Sequence, residues 1–481
     1  PRPGGPPAAP GSLRRLLVCL VLVTALSAVD QTIVATALPA VGAELGAAGR
    51  TSWVLTAYVV ALAVAMPVVG SLADRVGRVR MLRVSIVVFV VASLLCAAAQ
   101  DVGQLAAARA VQGLGGAGML VLPQALVAEV VPARDRAAVL GPLGAVFAVA
   151  TVVGPLLGGT LTDAGSWRAV FWVNLPVGAL ALLLACTAVR QPAVARPAER
   201  FDVLGAVLLA AATTGLAASA TEFPARGATP AVAALLAATA GALALLVLHQ
   251  SRARHPLLPV TSLRGRTVGA CAALSALAGF AMFGVIAYVP SWIQGVHRTS
   301  ATVSGLFLLP VTLGIVTGVN LSGFAVRRHG HWRRFPVLGC ALGLASTTAL
   351  ALVGDLLPLA ATAVLLVVFG AGAGLFLQIV VVVAQDAGAA RSLGGVTAAM
   401  TYVRECGVTV GTGLLGGLLA SRLAADGATG TAADYGAAFT TVFLTVAAVF
   451  ALGVAVAALM PRHELGTHPV DAAAAGTATR P

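Results

Sequence analysis

Lysine is absent from this 481-residue chain: all thirty basic residues are arginine. That excludes a phosphate loop of the G-x-x-x-x-G-K-[ST] type, which needs an ammonium on the phosphates, and equally a lysine Schiff base. Charge of any kind is scarce, at 10% against about 25% in an ordinary soluble domain, while 59% of the residues are apolar. With a mean hydropathy of +0.97, too little polar surface is left to cover soluble domains, and lipid is the solvent for most of the chain. Histidine is rare, and all seven, from His249 to His468, fall in loops, span ends or tails. No Ser/His/Asp set, metal-ligand cluster or pair of catalytic carboxylates stands at membrane depth, so an enzyme has little to work with and no metal or other cofactor is expected. The six cysteines lie far apart inside apolar runs without C-x-x-C spacing and read as small buried hydrophobes. The first residue is Pro, so the start is processed, truncated or misassigned; the first apolar run lacks a small-residue cleavage site and reads as a retained span.

What the chain does have is apolar runs of about twenty residues, the length needed to cross a core of about 30 Å. They lie at about 15–37, 51–72, 82–99, 103–127, 137–161, 168–189, 203–221, 229–249, 266–289, 303–325, 335–354, 357–383, 395–420 and 437–460. The expectation is an all-α polytopic membrane protein with about fourteen spans. An even count puts both termini on one side, and arginine marks the cytoplasmic loops. With the N-terminus inside, twenty-three arginines are inner, five (Arg50, Arg168, Arg226, Arg298, Arg422) are outer, and Arg109 and Arg404 lie within spans. The formal charge of +13 is therefore topology and not a nucleic-acid face. Trp53, Trp167, Trp172 and Trp292 near outer ends, and Trp332 at an inner loop, are expected to be headgroup anchors. The tails, 1–14 and 461–481, are expected to be cytoplasmic, and no loop has room for a soluble domain.

Two echoes suggest an internal duplication. Gly70-Ser71-Leu72-Ala73-Asp74-Arg75-Val76-Gly77-Arg78 and the stretch from Gly323 to His331 share G-x-x-x-x-R-x-G, at an offset of 253 residues (Gly70 to Gly323). Pro155-Leu156-Leu157-Gly158-Gly159 pairs with the stretch from Gly413 to Gly417 at an offset of 258 (Pro155 to Gly413). Six duplicated spans with two inserted between them give a 6 + 2 + 6 arrangement: a half at 15–190, an inserted pair at 203–249, and a half at 266–460. Two such halves rocking around a midplane site form a transporter architecture.

Charges inside spans are the candidate site residues, because a carboxylate at membrane depth costs about 2.5–3.5 kcal/mol or more and needs a cavity or a partner. Asp30 lies about seven residues, roughly 10 Å, inside the outer end of the first span, and Arg109 about six, roughly 9 Å, inside the fourth. They are level. Either they form a coupling pair, in which Arg109 controls the proton affinity of Asp30, or a static ion pair joining two helices. Glu405 lies about ten residues, roughly 15 Å, into the thirteenth span, near the midplane and next to Arg404. It either binds a proton or cationic substrate, or neutralises a buried arginine. In the fifth span, Gly144, Gly154, Pro155, Gly158 and Gly159 allow close helix approach and a kink. The loop carrying Gly70, Asp74, Arg75, Gly77 and Arg78 is either a cytoplasmic latch or a generic charged turn.

Taken in order, these residues resemble the major facilitator superfamily, and specifically its fourteen-span drug:proton antiporter branch. Gly70 to Arg78 is similar to its loop motif; Arg109, Gln112 and Gly113 to its fourth-span motif; Gly144, Gly154, Pro155, Gly158 and Gly159 to its antiport helix motif; and DQTIVATALP (30–39) to the first-span signature of drug exporters. The branch is further suggested by the stretch from Trp167 to Gly178 and by Phe201-Asp202-Val203-Leu204-Gly205. Two departures stand out: Ser71 where a basic residue is usual, and Glu405 where a neutral polar residue is common. The resemblance implies export of drugs, antiseptics or antibiotics across the cytoplasmic membrane by alternating access, driven by the proton gradient. Asp30 and Arg109, with Glu405, would serve coupling, and the Gly154/Pro155 region would prevent leak. The implied partners are a small amphipathic substrate, cationic if Glu405 faces the cavity, together with protons and the bilayer; a monomer is expected. The cavity wall is expected to draw on Phe280, Phe283, Tyr288 and Tyr402 beside Arg404 and Glu405. Proton-coupled uptake of a nutrient, or export of one self-made metabolite, are the alternatives.

Overall fold

A computed structural model describes residues 10–45, 52–188, 202–227, 229–253, 256–258, 260–299, 301–387, 393–425 and 432–461, and the described structure is helical. The chain divides into two compact units, residues 1–126 with 149–199, and residues 127–148 with 200–481. The division falls inside α4 and α5, the fourth and fifth helices.

The first unit contains α1 (Pro10–Glu44), α2 (Ser52–Val76), α3 (Arg78–Ala98), most of α4 (Val102–Val130), the second half of α5 (Ala133–Ala164), the single turn α6 (Ala169–Trp172) and α7 (Asn174–Ala188). Its tightest packing is around α4, whose glycines replace side chains with backbone contact. A Cβ at Gly113 would stand 2.5 Å from the Tyr58 carbonyl oxygen on α2, and one at Gly115 2.6 Å from the Phe89 nitrogen on α3. Without a side-chain layer between them these helices approach closely enough to enclose polar groups at their crossing. The turn between α2 and α3 is a single residue, Gly77, with φ of 106°, a region closed to most L-residues.

The second unit contains α8 (Val203–Arg226), α9 (Pro230–Arg252), α10 (Val260–Leu263), α11 (Arg266–Ala278), a π-helical turn (Gly279–Phe283), α12 (Gly284–His297), α13 (Ala301–Leu306), α14 (Leu308–His329), α15 (Arg334–Val353), α16 (Leu359–Ala387), α17 (Leu393–Ala425) and α18 (Ala432–Ala458). Caps set the hairpin α8–α9: Asp202 accepts from the Gly205 N–H, and Thr229 precedes Pro230 at the start of α9 and accepts from the Val232 N–H. Helices α14 and α16 meet through reciprocal glycines, Gly314 on the Val367 carbonyl and Gly370 on the Val311 carbonyl. Residues 127–148 pack here: Asp135 pairs with Arg327 at 3.3 Å, and the backbone at Ala137 receives Gly323.

Twelve helices among the described residues are long and apolar enough to cross a membrane, fewer than the fourteen expected. The two expected spans outside that set lie on α5 and α17. At 32 and 33 residues both are long enough, and both include positions whose side chains lie outside the described residues. The tryptophans also differ from expectation. Trp167, Trp292 and Trp332 are buried and only Trp172 is exposed; the Trp53 side chain lies outside the described residues. Trp167 donates to Glu44 at 2.7 Å and Trp292 stacks edge-on against Phe443, so these rings find partners inside the protein and not at a headgroup surface. Among the cysteines, Cys186 is exposed and Cys406 half-buried, and the other four are buried.

Candidate functional site

In the first unit the helix crossing encloses a polar cluster built on Asp30. Asp30, Arg109, Gln112 and Ser93 have no exposed surface, and Asn174 is 1% exposed. Arg109 Nη1 donates to Asp30 Oδ2 at 2.6 Å and to Gln112 Oε1 at 2.7 Å. Gln112 Nε2 donates to Asp30 Oδ1 at 3.1 Å and to Ser93 Oγ at 2.7 Å. Asn174 Nδ2 reaches the same two acceptors, Asp30 Oδ1 at 2.8 Å and Ser93 Oγ at 3.2 Å. The guanidinium lies over the Tyr58 ring, 3.9 Å from its centroid, and its Nε and Nη2 have no hydrogen-bond partner among the described residues. The ring face takes their place as a cation–π contact. The side chains expected at one depth thus meet, and breaking such a buried pair from one side costs about 3–5 kcal/mol.

Ser93, Tyr58 and Asn174 are site members that sequence reasoning did not single out. Each is uncharged, so membrane depth raises no alarm, and only the folded crossing joins them. Asn174 carried a signal nonetheless: the chain has two asparagines, and this one stands in an apolar run. It opens α7 just after the short α6, whose other end is anchored. Arg168 and the Trp167 indole both bond Glu44 at the end of α1, and Arg168 Nη2 donates to the Ala99 carbonyl at 3.1 Å. The Arg168 hydrogen bond, followed by that from Trp167, holds the Glu44 carboxyl below its usual range.

Arg404 and Glu405 form the corresponding charges of the second unit. Both are largely buried on α17, with Arg404 Nη2 3.3 Å from Glu405 Oε1. The π turn lies against them: a Cβ at Gly279 would stand 2.2 Å from the Arg404 carbonyl oxygen. Such turns widen a helix by one residue and recur at functional sites. Of the expected wall residues, Phe280 sits in this turn, and its backbone receives Gly411. The Phe283 side chain lies outside the described residues. Tyr288 donates to the Thr412 carbonyl at 2.6 Å and Tyr402 is 2.9 Å from Thr213 on α8, so both hydroxyls hold helices together around α17.

The remaining motif residues have local partners. Asp74 and Arg78 form an i,i+4 pair at 2.9 Å beside Gly77, and Gly70 is buried; Arg75 stands in the last turn of α2. A Cβ at Gly154 would clash with Thr32, whose hydroxyl donates to the Ala150 carbonyl at 2.9 Å, so α5 lies directly on α1 two residues from Asp30. A Cβ at Gly144 would meet the Gln378 amide, Gly158 is buried, and a Cβ at Gly159 would meet nothing within 4 Å among the described residues. The Pro155 side chain lies outside the described residues. At the base of α8, burial works to raise Asp202, but hydrogen bonds from His249 at 2.8 Å, the Gly205 N–H and Gln250 at 2.9 Å outweigh it and leave the carboxyl below its usual range. No group of three or more metal-ligating side chains occurs among the described residues.

Comparison with known proteins fits this geometry. An uncharacterised MFS-type transporter of Mycobacterium tuberculosis is 40% identical over 427 residues, covering 88% of this chain and 62% of the relative; the chain thus spans somewhat less than two thirds of that relative's length. Multidrug transporter protein MdtP of Bacillus subtilis is 30% identical over 85% of this chain and 76% of its own length. Multidrug resistance protein Stp of M. tuberculosis is 32% identical over 82% and 74%. The human organic anion transporter MFSD10 (TETRAN) shares the fold, with a TM-score of 0.66 at 17% identity over 93% of this chain and all of that one. The proton:xylose symporter XylE does so at 0.59 and 14%, over 92% and 96%. The family model named Major Facilitator Superfamily matches residues 20–412, and the chain is a multi-pass membrane protein belonging to that superfamily.

Proposed function

We propose that this chain is a proton-coupled antiporter that exports lipophilic drugs, antiseptics or antibiotics across the cytoplasmic membrane. Its spans number fourteen in a 6 + 2 + 6 arrangement, with both termini cytoplasmic, and it works as a monomer with the proton gradient as its energy source. The observation that carries the reading is the fully buried Asp30 carboxylate, paired at 2.6 Å with Arg109 in the unit that holds the Gly154 contact. A buried ionisable group in a span belongs to a substrate or proton pathway by default. Relatives named as multidrug transporters at 30–32% identity support the substrate class.

In this mechanism each half-cycle trades a proton for substrate. Facing the cytoplasm, the chain releases a proton from Asp30 or Glu405 and admits a lipophilic substrate from the cytoplasm or inner leaflet. Facing outward, protonation of that carboxylate displaces the substrate. Arg404 keeps Glu405 satisfied while no substrate is bound, and Arg109 does so for Asp30. Cells expressing the chain are expected to expel a preloaded fluorescent lipophilic cation, and a protonophore or Asp30→Asn to abolish expulsion. Expulsion that persists in de-energised cells contradicts proton coupling, and retention of every cation and neutral drug tried contradicts multidrug export.

A further inference from the structure

Among the described residues, every hydrogen bond to the Asp30 carboxylate comes from a donor that stands against it. Arg109 Nη1 faces Oδ2, and Gln112 Nε2 and Asn174 Nδ2 both face Oδ1. This suits the ionised form and leaves a protonated Asp30 with no acceptor for its O–H. An acid proton enclosed without an acceptor, at a site with no exposed surface, carries a desolvation cost, so some neighbour must reverse.

Gln112 is not free to do so. Its Oε1 takes hydrogen bonds from Arg109, which can only donate, and from the Cys96 thiol at 3.5 Å. Turning the amide would set an NH2 against the guanidinium. Arg109 has no acceptor atom at all. Asn174 differs: among the described residues its Nδ2 donates to Asp30 and Ser93 alone, and the Ser93 hydroxyl can either accept or donate. Rotating the Asn174 amide by half a turn presents Oδ1 to Asp30 and lets Ser93 donate to it. The other titratable groups near the carboxylate are Cys96 from α3, Tyr58 from α2 beneath the guanidinium, and Arg109 from α4; α5 brings Ala150 and Gly154, and α6 and α7 bring Phe171 and Asn174, none of which titrates.

We propose that Asn174 is a positioning residue for the proton, donating to Asp30 while it is ionised and accepting from it, by amide rotation, once it is protonated. The proton arrives at Oδ1 from water when the site opens, no other bond forms or breaks, and Ser93 turns with the amide. This rests on the proton-coupling reading above, and its test is arranged to separate the two. Purified full-length protein is treated with a carbodiimide, which reacts with protonated carboxyls in apolar surroundings, across a pH series, and modification of Asp30 is read by mass spectrometry. Asn174→Leu removes both the donor to the anion and the acceptor for the acid, and the bond to the charged form is the stronger of the two. At a pH where the wild type is weakly modified, it is expected to raise modification several-fold, up to about tenfold. Asn174→Asp keeps the shape, so it covers the case in which Leu disturbs packing, and it is expected to raise modification further because two facing carboxylates share one proton. Asp30 modification within twofold of the wild type in both variants overturns the proposal. Variants that shift modification in a protein whose wild type shows no substrate-evoked proton movement would leave the Asn174 assignment standing and refute antiport. Proton movement in the wild type with unshifted variants would do the reverse.

Discussion

At the scale of single residues, the site of the first unit rests on the buried ion pair of Asp30 with Arg109. A helix rises 1.5 Å per residue, so counting from a span end places a carboxylate and a guanidinium at a depth, and Asp30 and Arg109 meet there at 2.6 Å. The neutral members of the cluster were not legible, because Ser93 and Tyr58 look like any small or aromatic residue in an apolar run. The same limit hid the clasp of Glu44 with Trp167 and Arg168, which needs the folded course of α1 and α6. That clasp has a pH dependence. The folded Glu44 carboxyl is held below its ordinary value of about 4.3, so its contribution is complete above that value and is lost as pH falls through the folded one. Glu44→Gln is therefore expected to melt below the wild type at pH 7, with the difference shrinking as the pH falls below the ordinary carboxylate value, in thermal denaturation of the detergent-solubilised protein. A difference that persists unchanged at acid pH would show that the clasp does not depend on the carboxylate's charge.

At the scale of elements, apolar runs revealed where helices lie but not what each face touches. The tryptophans illustrate this: their positions near span ends suggested anchors, and Trp167 and Trp292 are instead buried against Glu44 and Phe443. Glycine was better read in outline than in detail, since Gly154 sits on Thr32 as the small-residue pattern suggests, whereas a Cβ at Gly159 would meet nothing within 4 Å among the described residues. The stretch Gly113 to Gly118 on α4 has the greater structural consequence, because its backbone contacts with α2 and α3 bring Arg109 and Gln112 to Asp30. Gly115→Ala places a Cβ 2.6 Å from the Phe89 nitrogen. The resulting overpacking is expected to destabilise the protein by about 1–3 kcal/mol, seen as a lower melting temperature, and to reduce expulsion by spreading the polar cluster. Gly159→Ala is expected to change neither. Equal effects of the two substitutions would mean that close approach at α4 does not set the site.

At the scale of the whole molecule, composition alone established a polytopic helical membrane protein, and the motifs led to the superfamily that the family match, the relatives and the folds of two solved transporters support. The span count was less legible. Twelve helices among the described residues meet the criteria of length and apolarity, and α5 and α17, the segments with the glycine motif and with Glu405, include positions outside them. The division into two units also cuts α4 and α5, where the sequence repeat placed a boundary at the inserted pair. The most direct test of the central claim uses everted membrane vesicles energised to be acid inside, a pH-sensitive dye, and a panel of cationic and neutral antibiotics. Proton release evoked by substrate in the wild type and absent in Asp30→Asn is the predicted result. Release of equal size in Asp30→Asn would contradict a proton site on Asp30, and no release from the wild type with any compound would contradict drug:proton antiport.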